Sequence, residues 1–594
     1  MSVRAIAGAL VGLALAAPAL AAGRARTEPF LVSTTPYELN DDTRPVARDV
    51  KRQEDGAARV SVAGVRVPEG AELEAWFALP GESRGTWRVT LSASSESETV
   101  ESVQIVEESA RSGWRRVGMG VASLEQEEVR VELRADPVAG AVGRPVLGAP
   151  RFVVRRPEVK VPRNVIVVSL DTLRADRMSS YGAQRETSPQ MDALAAAGVR
   201  FETALAPASS TPPSHMSMLT GTSPCRHGVW GVHLEDTMSD EIDTLAEILG
   251  RDGYATAAIT ENAYMSPPYG FARGFDSYVE LKQMVADRNS PSPGVITPTG
   301  YGPKTFRAAG EWLRDNAARQ FFLFVHTYQV HGPRRPSGAY AKLFAETPET
   351  GVRNPGYDPD FHDLRRYDQL VRQLDDLVGG LAQQIMALGL ADETLLVLTS
   401  DHGEAFFEHG DHGHGWSVYG EVLRVPLIFW APGLASPGVV QEPTGLVDLV
   451  PTVLDLVGLP VPTGLDGKSR AASVRNSGTA SAASQTYYAE TAPGNVRAVR
   501  TARFKIIRGE DSSDETLFDL RTDGSESAPI ALGASALPAN LQADAAEIES
   551  LRTELDLFAA QCRDQRAAAA ARRGTAAELD PVRHEKLKAL GYVE

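Results

Sequence analysis

Four side chains in this sequence combine into a plausible piece of chemistry. Asp171 closes the apolar run NVIVVSL (164–170), Asp401 and His402 follow the run Leu395–Thr399 and Ser400, and Thr211 opens the stretch TPPSHMSMLTG. Two carboxylates and an imidazole make a divalent-cation site of oxygen and nitrogen donors with room for further ligands. A hydroxyl beside such a cation becomes a usable nucleophile, because the charge lowers its pKa and holds it in line with an electrophilic centre. Taken singly, each residue also fits a helix cap or a strand exit. Their combination is what points to catalysis.

Thr211 precedes two prolines. Pro213 suits the first position of a helix, where the donor that proline lacks has no partner, so a helix is expected just after Thr211 with its free N–H groups turned toward that side chain, an anion-binding geometry. More imidazoles lie nearby in sequence. The run Phe321–Val325 leads to His326 and His331, and the loop EHGDHGHGW offers His409, His412 and His414 to grip a substrate or complete a second metal site. His326 lies along a strand and reads as a structural histidine.

These residues need elements to bring them together. From Asn164 onward, buried strands alternate with amphipathic helices: a helix after Ser188 and Pro189 that stops at Gly198, a capping box at Thr244 and Glu247, strands over Ala255–Thr260 and Val425–Trp430, and a helix over Tyr367–Leu388 with Leu370, Leu374, Leu377, Leu381 and Ile385 on one face. Such alternation predicts an α/β fold with a mostly parallel sheet covered by helices on both faces, and sites in such sheets lie beyond the carboxyl ends of the strands. Residues 56–157 show period-two runs without helices and read as a β-sandwich. Runs at Val496–Arg500, Phe504–Arg508 and Thr516–Leu520 read as a small antiparallel sheet, followed by a helix around Ile548–Arg572. Ala471–Thr486 is small-residue, low-complexity sequence expected to be a mobile insertion. The expected division is 1–21 leader, 22–55 polar linker, 56–157 sandwich, 158–470 catalytic unit and 471–594 C-terminal subdomain.

Composition narrows the partners. With 594 residues and a formal net charge of −17, the chain has a large core and lacks the basic balance of a phosphate-backbone binder, so no nucleic-acid partner is expected. Two cysteines, Cys225 and Cys562, allow at most one bridge, and sequence leaves its existence open. The N-terminus, with Arg4, an apolar run and a small-residue stretch at Ala19–Ala21, reads as an export signal. No later apolar run is long enough to span a bilayer, so a periplasmic or secreted protein that is not integral to the membrane is expected.

The motifs SLDTLRADRMSSYG (169–182), SSTPPSHMSMLTG (209–221), FVHTYQVHGP (324–333), TSDHGEAFFEHG (399–410) and VPLIFWAPG (425–433), with the tail LKALGYVE, resemble the sulfatase family of the alkaline phosphatase superfamily. The resemblance covers residue 164 to the C-terminus. It implies an alkaline phosphatase-like fold, one divalent ion on Asp171, Thr211, Asp401 and His402, Thr211 as nucleophile, and His331 in contact with the transferred group or the leaving oxygen, where it is expected to protonate the leaving oxygen or orient the substrate. His215 stands where the family's Cys-or-Ser-x-Pro-Ser-Arg signature has its arginine. With Asn262, His412 and His414 it makes up the expected substrate-binding set.

The departures matter as much. Thr211 cannot be converted into the formylglycine that the family makes from Cys or Ser. The family's Asp-Asp pair is here Asp171-Thr172, and Glu261 and Asn262 stand where many members have Gly-Lys-x-His. Fewer carboxylates with an added imidazole move the expected ion from calcium toward manganese or zinc. Threonine nucleophiles occur in related phosphodiesterases and in enzymes that transfer phosphoethanolamine or phosphoglycerol. The expectation is an exported metal-dependent hydrolase acting on a small-molecule or glycan sulfate or phosphate ester through a covalent threonine intermediate. The alternatives are an envelope transferase using the same site and a degenerate sulfatase acting as a binding protein.

Overall fold

The computed structural model describes the chain from residue 57 to residue 575, with interruptions of which the longest are 287–295, 346–358 and 477–484, and also the short strands Ala25–Thr27 and Val50–Arg52. At its centre is an eight-stranded sheet. Its strands are β1 (Asn164–Leu170), β2 (Val199–Phe201), β3 (Ala255–Thr260), β4 (Ser277–Glu280), β5 (Phe321–Thr327), β6 (Thr394–Thr399), β7 (Leu427–Trp430) and β8 (Gly438–Val440), in the spatial order β4-β3-β5-β1-β6-β7-β2-β8. The five strands from β4 to β6 run parallel, and β7 is antiparallel to both its neighbours. The sheet is thus mixed, with one reversed strand in an otherwise parallel array.

Every residue of β1, β3, β5 and β6 is buried. Alternate side chains of β1 feed different cores: Val165 and Val167 join one cluster, while Ile166, Val168 and Leu170 join the other. A strand covered on both faces needs apolar residues at every position, which explains its continuous hydrophobic run. On one face lie helices α1 (Pro189–Ala197) and α4 (Leu364–Ala387), the second burying Leu370, Leu374, Leu381 and Ile385, with Leu377 partly covered. On the other face lies α2 (Thr211–Thr220), all ten residues of which are buried, backed by the short α3 (Pro224–His227). The capping box at Thr244 and Glu247 forms as its spacing predicts.

Two expectations need correction. The run Val425–Trp430 is two strands, because Pro426 cannot donate to a ladder: Arg424–Val425 pairs with Ala204–Leu205, and only Leu427–Trp430 enters the main sheet. The start of the expected insertion, Ala471–Arg475, is a helix that buries Ala471 and Val474, whereas 477–484 lie outside the described residues.

Two antiparallel five-stranded sheets precede the α/β unit, and one core containing Phe77, Trp87, Leu91 and Leu133 fills the space between them. A separate five-stranded antiparallel sheet includes Val496–Arg500, Phe504–Gly509 and Glu515–Asp519, and α5 (Ala545–Thr575) packs against it. Cys225 in α3 and Cys562 in α5 form a disulfide across 337 positions. Replacing both cysteines by serine is expected to lower stability by about 2–5 kcal/mol, read as a shift in the urea midpoint, because a long loop is released in the unfolded chain. Among the described residues, no helix is long and apolar enough to cross a membrane. The leader expected over 1–21 lies outside the described residues.

Candidate active site

Three neighbouring strands, β5, β1 and β6, end together at one edge of the sheet. Register makes them level, with Ser169 paired to His326 on one side and to Thr399 on the other. The residues just beyond therefore converge: Asp171 after β1, and Ser400, Asp401 and His402 after β6. Helix α2 aims its first residue at the same point, and Thr211 Oγ1 lies 3.3 Å from Asp171 Oδ2, to which it donates, and 3.3 Å from His402 Nε2.

The start of α2 differs from its expected form. Ser210 is the cap, Thr211 is the first helical residue, and Pro212 and Pro213 occupy the second and third positions. Two of the three leading residues thus have no N–H, so the helix end offers little to an anion beyond the Thr211 amide itself. What α2 delivers is the hydroxyl.

A dense set of hydrogen bonds holds the carboxylates. Thr172 N donates to Asp401 Oδ1 at 3.3 Å, and Thr172 carries a left-handed φ of 60°, which is costly for a β-branched residue. Its carbonyl is fixed by the Tyr367 hydroxyl of α4 at 2.7 Å. Ser214 Oγ donates to the Asp401 carbonyl at 2.5 Å, and Ser400 Oγ donates to the His402 carbonyl at 2.7 Å. His402 Nδ1 lies 2.9 Å from the Gly403 carbonyl, which takes its proton and leaves the Nε2 lone pair facing Thr211 and Asp401.

The electrostatics fit a dication. Asp171, Asp401 and His402 are fully buried and offer ligand atoms within 4.8 Å of one another. Burial and the charge of Asp401 hold the Asp171 carboxyl well above its ordinary pKa, whereas His402 and His215 hold Asp401 well below its own against the effect of burial. Asp171 Oδ1 and Asp401 Oδ2 are buried without a hydrogen-bond partner. Two anions in low dielectric with orphaned oxygens and a lone pair between them are costly unless a cation compensates them.

His326, expected to be structural, lines this site: it is fully buried, its Nε2 is 3.3 Å from Asp171 Oδ2, and its Nδ1 has no partner. His215, expected to face the substrate, lies beneath the carboxylates. Its Nε2 meets Ser169 Oγ at 2.8 Å, and its Nδ1 lies 3.0 Å from the Thr211 carbonyl and 3.3 Å from Asp401 Oδ2. Both ring nitrogens are used by protein atoms, so His215 positions Asp401 and the helix start.

Above the carboxylates stand two more imidazoles. His414 packs against His402 with ring centroids 4.4 Å apart and the rings tilted by 36°, and the ring of His331 lies 5.1 Å from that of His414. Behind them Glu404 accepts from Arg334 at 2.6 Å and meets His414 Nδ1 at 3.4 Å. Burial opposes the charge of Glu404, but Arg334 and His414 outweigh it and hold its pKa below the carboxylate range. Sequence reasoning missed this pair, although Arg334 and Glu404 both adjoin the motifs. His412 packs between Phe407 and His362 rather than over the carboxylates. His409 stacks on Tyr419 and binds Glu421. Asn262 lies outside the described residues.

Its neighbour Glu261 serves the framework. Its carboxylate accepts from the hydroxyls of Thr305 and Thr327 and from the amides of Tyr301 and Tyr328, and burial pushes its pKa up to about 7. Glu261→Ala is expected to cost about 3 kcal/mol in chemical denaturation, because it strands buried donors that fix the end of β5.

A family model described as Sulfatase matches residues 163–459, and one described as N-sulphoglucosamine sulphohydrolase, C-terminal, matches 408–547. Arylsulfatase A of Homo sapiens is 27% identical over 66% of this chain and 88% of its own length. An ulvan-active sulfatase of Formosa agariphila is 26% identical over 53% of this chain and 65% of its own. In fold, the chain superposes with a TM-score of 0.56 on BT4656 in complex with its substrate D-glucosamine-2-N,6-O-disulfate, at 20% identity, covering 68% of this chain and 99% of that one. The phosphonate monoester hydrolase of Agrobacterium radiobacter gives a TM-score of 0.54 at 20% identity, covering 66% and 96%.

Proposed function

Because the chain belongs to the sulfatase family, we propose that it is a metal-dependent hydrolase of sulfate or phosphate esters that works through a covalent intermediate on Thr211. The observation that carries this reading is the placement of Thr211 Oγ1 at the start of a fully buried helix, 3.3 Å from both Asp171 Oδ2 and His402 Nε2. A divalent cation held by Asp171, Asp401, His402 and the Thr211 oxygen would lower the pKa of the hydroxyl and offset charge on the transferred group.

The residues divide the remaining work. Thr211 Oγ attacks sulfur or phosphorus in line and gives up its proton toward Asp171 Oδ2, while the bond to the leaving oxygen breaks. The leaving oxygen takes a proton from solvent. His331 Nδ1 faces the Gly332 carbonyl at 2.6 Å, and burial draws the pKa of this imidazole down to about 3, so near neutrality its Nε2 accepts rather than donates. His331 therefore orients a substrate hydroxyl or takes the proton of the water that resolves the intermediate. His414, half-buried and held by Glu404, contacts the substrate from the rim.

Substrates with sulfur and with phosphorus both fall within the reading, since a threonine oxygen attacks either centre and cannot follow formylglycine chemistry. Export belongs to it as well: the leader-like composition of 1–21 and the Cys225–Cys562 bridge suit an oxidising compartment. The test is turnover of aryl sulfate, phosphate monoester, phosphate diester and phosphonate substrates across manganese, zinc and calcium. Ion-dependent hydrolysis of at least one ester, with phosphoryl or sulfuryl mass on the Thr211 peptide after quenching, is expected. Hydrolysis indifferent to chelators would overturn it.

A further inference from the structure

We propose that His409 is a positioning residue, held as an imidazolium, that pins the hairpin at the active-site rim to the C-terminal sheet, and that loss of its proton frees the hairpin. The hairpin pairs Ala405–Phe406 with His412–Gly413, and its tip carries His409. His414 follows directly and packs against His402. Whatever fixes the hairpin therefore fixes one wall of the site.

Both ring nitrogens of His409 face acceptors. Nδ1 lies 2.7 Å from Glu421 Oε1, and Nε2 lies 3.0 Å from the Glu526 carbonyl. A neutral imidazole has one N–H and satisfies one of them, whereas the imidazolium donates to both. The ring also lies flat against Tyr419, with centroids 3.9 Å apart and planes 2° from parallel, which puts the cation on the negative face of the phenol. Only 15% of the His409 side chain and 6% of that of Glu421 are exposed, so water screens the pair weakly. Burial opposes the charge on His409, but Glu421 and Glu526 outweigh it and hold its pKa above the ordinary imidazole value.

The other charged groups at the contact are engaged with one another. The Glu526 carboxylate accepts from Lys505 Nζ at 2.8 and 2.9 Å and from the Gly420 amide at 3.0 Å, with Arg500 beyond Lys505. On the hairpin itself, Arg174 holds Glu408 at 2.5 Å, and Asp411 accepts from the His412 amide. His409 thus joins three pieces: the hairpin, the short helix Gly420–Leu423 and the turn that carries Glu526. The middle piece leads inward. The Glu421 carbonyl accepts from the Glu404 amide at 3.1 Å and the Val422 carbonyl from the Gly403 amide at 2.9 Å, beside His402. Phe407 and Glu526, one on each side of the contact, hold left-handed φ values of 73° and 59°, which persist only while their surroundings impose them.

Linkage sets the sign. A histidine whose pKa is raised on folding contributes stability that is complete below its unfolded value, about 6.5, and is lost as pH rises through the folded value. The hairpin is tight below that folded value and loosens above it.

Hydrogen exchange of the full-length protein, read by mass spectrometry from about pH 5 to about pH 9, tests this. Exchange at the imidazole carbon of His409 should report a midpoint above the ordinary value, and amide protection of the 404–416 and 519–528 peptides, corrected for intrinsic rates, should fall about tenfold through the same midpoint. Protection of the β1 and β6 peptides should not change. Glu421→Gln should move the midpoint down, and His409→Gln should show at every pH the low protection that the parent shows in alkali. The parent titration stands without either variant. A His409 midpoint at or below the ordinary value, hairpin protection indifferent to pH, or a pH response that survives His409→Gln would overturn the pin. A second arm rests on the hydrolase reading: on an ester that the protein cleaves, KM should rise about threefold through the same midpoint while kcat is kept, and should not respond in His409→Gln. Exchange as expected with KM unmoved would overturn the link from the pin to the site. Absence of turnover on every ester would fall on the hydrolase reading and leave the exchange result intact.

Discussion

Thr211→Ala is expected to lower kcat/KM by about 10⁴-fold or more on every ester the wild-type protein cleaves, while the protein still folds and still binds its ion. The size follows from what is removed. Alanine leaves water as the attacking group, without the in-line placement that the first residue of α2 provides, and the advantage of a positioned nucleophile is large. Folding should survive because alanine fits a helix start flanked by Pro212 and Pro213, and because Asp171, Asp401 and His402 stay in place. Bound metal measured by mass spectrometry should remain at the parental ratio. Thr211→Ser, which keeps the oxygen and frees a rotamer, should retain activity to within about 100-fold. An alanine variant as active as the parent would remove Thr211 from the chemistry altogether.

The second large effect concerns the cation. Asp401→Asn keeps the shape of the side chain and an oxygen to accept from the Thr172 amide, but it removes one of two negative charges around the ion. Metal affinity is expected to fall by about 100-fold or more, and activity at limiting metal should fall with it. The companion measurement is thermal. An ion present at about 100 times its Kd stabilises the folded state by about 2.7 kcal/mol, so a chelator should lower the Tm of the parent and leave that of Asp401→Asn nearly unmoved. Parental metal content in Asp401→Asn would place the ion elsewhere.

The main features of the site were legible in the sequence because they are local. A seven-residue apolar run ending in Asp171 reads as a doubly covered strand, and Ser-Asp-His after another such run reads as a second strand end. His326 was misread because its role depends on register: it becomes a neighbour of Asp171 only when β5 pairs with β1 so that it lies opposite Ser169, and no local pattern encodes that pairing. His215 is a different case. It lies four residues after Thr211, one turn along the same helix face, and its bond to the Thr211 carbonyl follows from that spacing. The signature that the sequence resembles has an arginine at this position, whereas the His215 ring turns inward to Ser169 and Asp401. The Arg334–Glu404 pair and the bridge between Cys225 and Cys562 join distant segments, and such contacts emerge only once the sheet has assembled.

That bridge has a bearing on the order in which the molecule can be built. Thr211 sits on α2, whose rear is held by His227 of α3: its ring lies 3.0 Å from Ser217 Oγ and 3.2 Å from the Pro213 carbonyl. Helix α3 is in turn clamped to α5 by Cys562. Chain synthesis reaches Thr211 and His227 before Cys562, so the bridge that ties α3 to α5 can close only after α5 has been made. Until then α3 supports the rear of α2 through His227 without its covalent tie to α5.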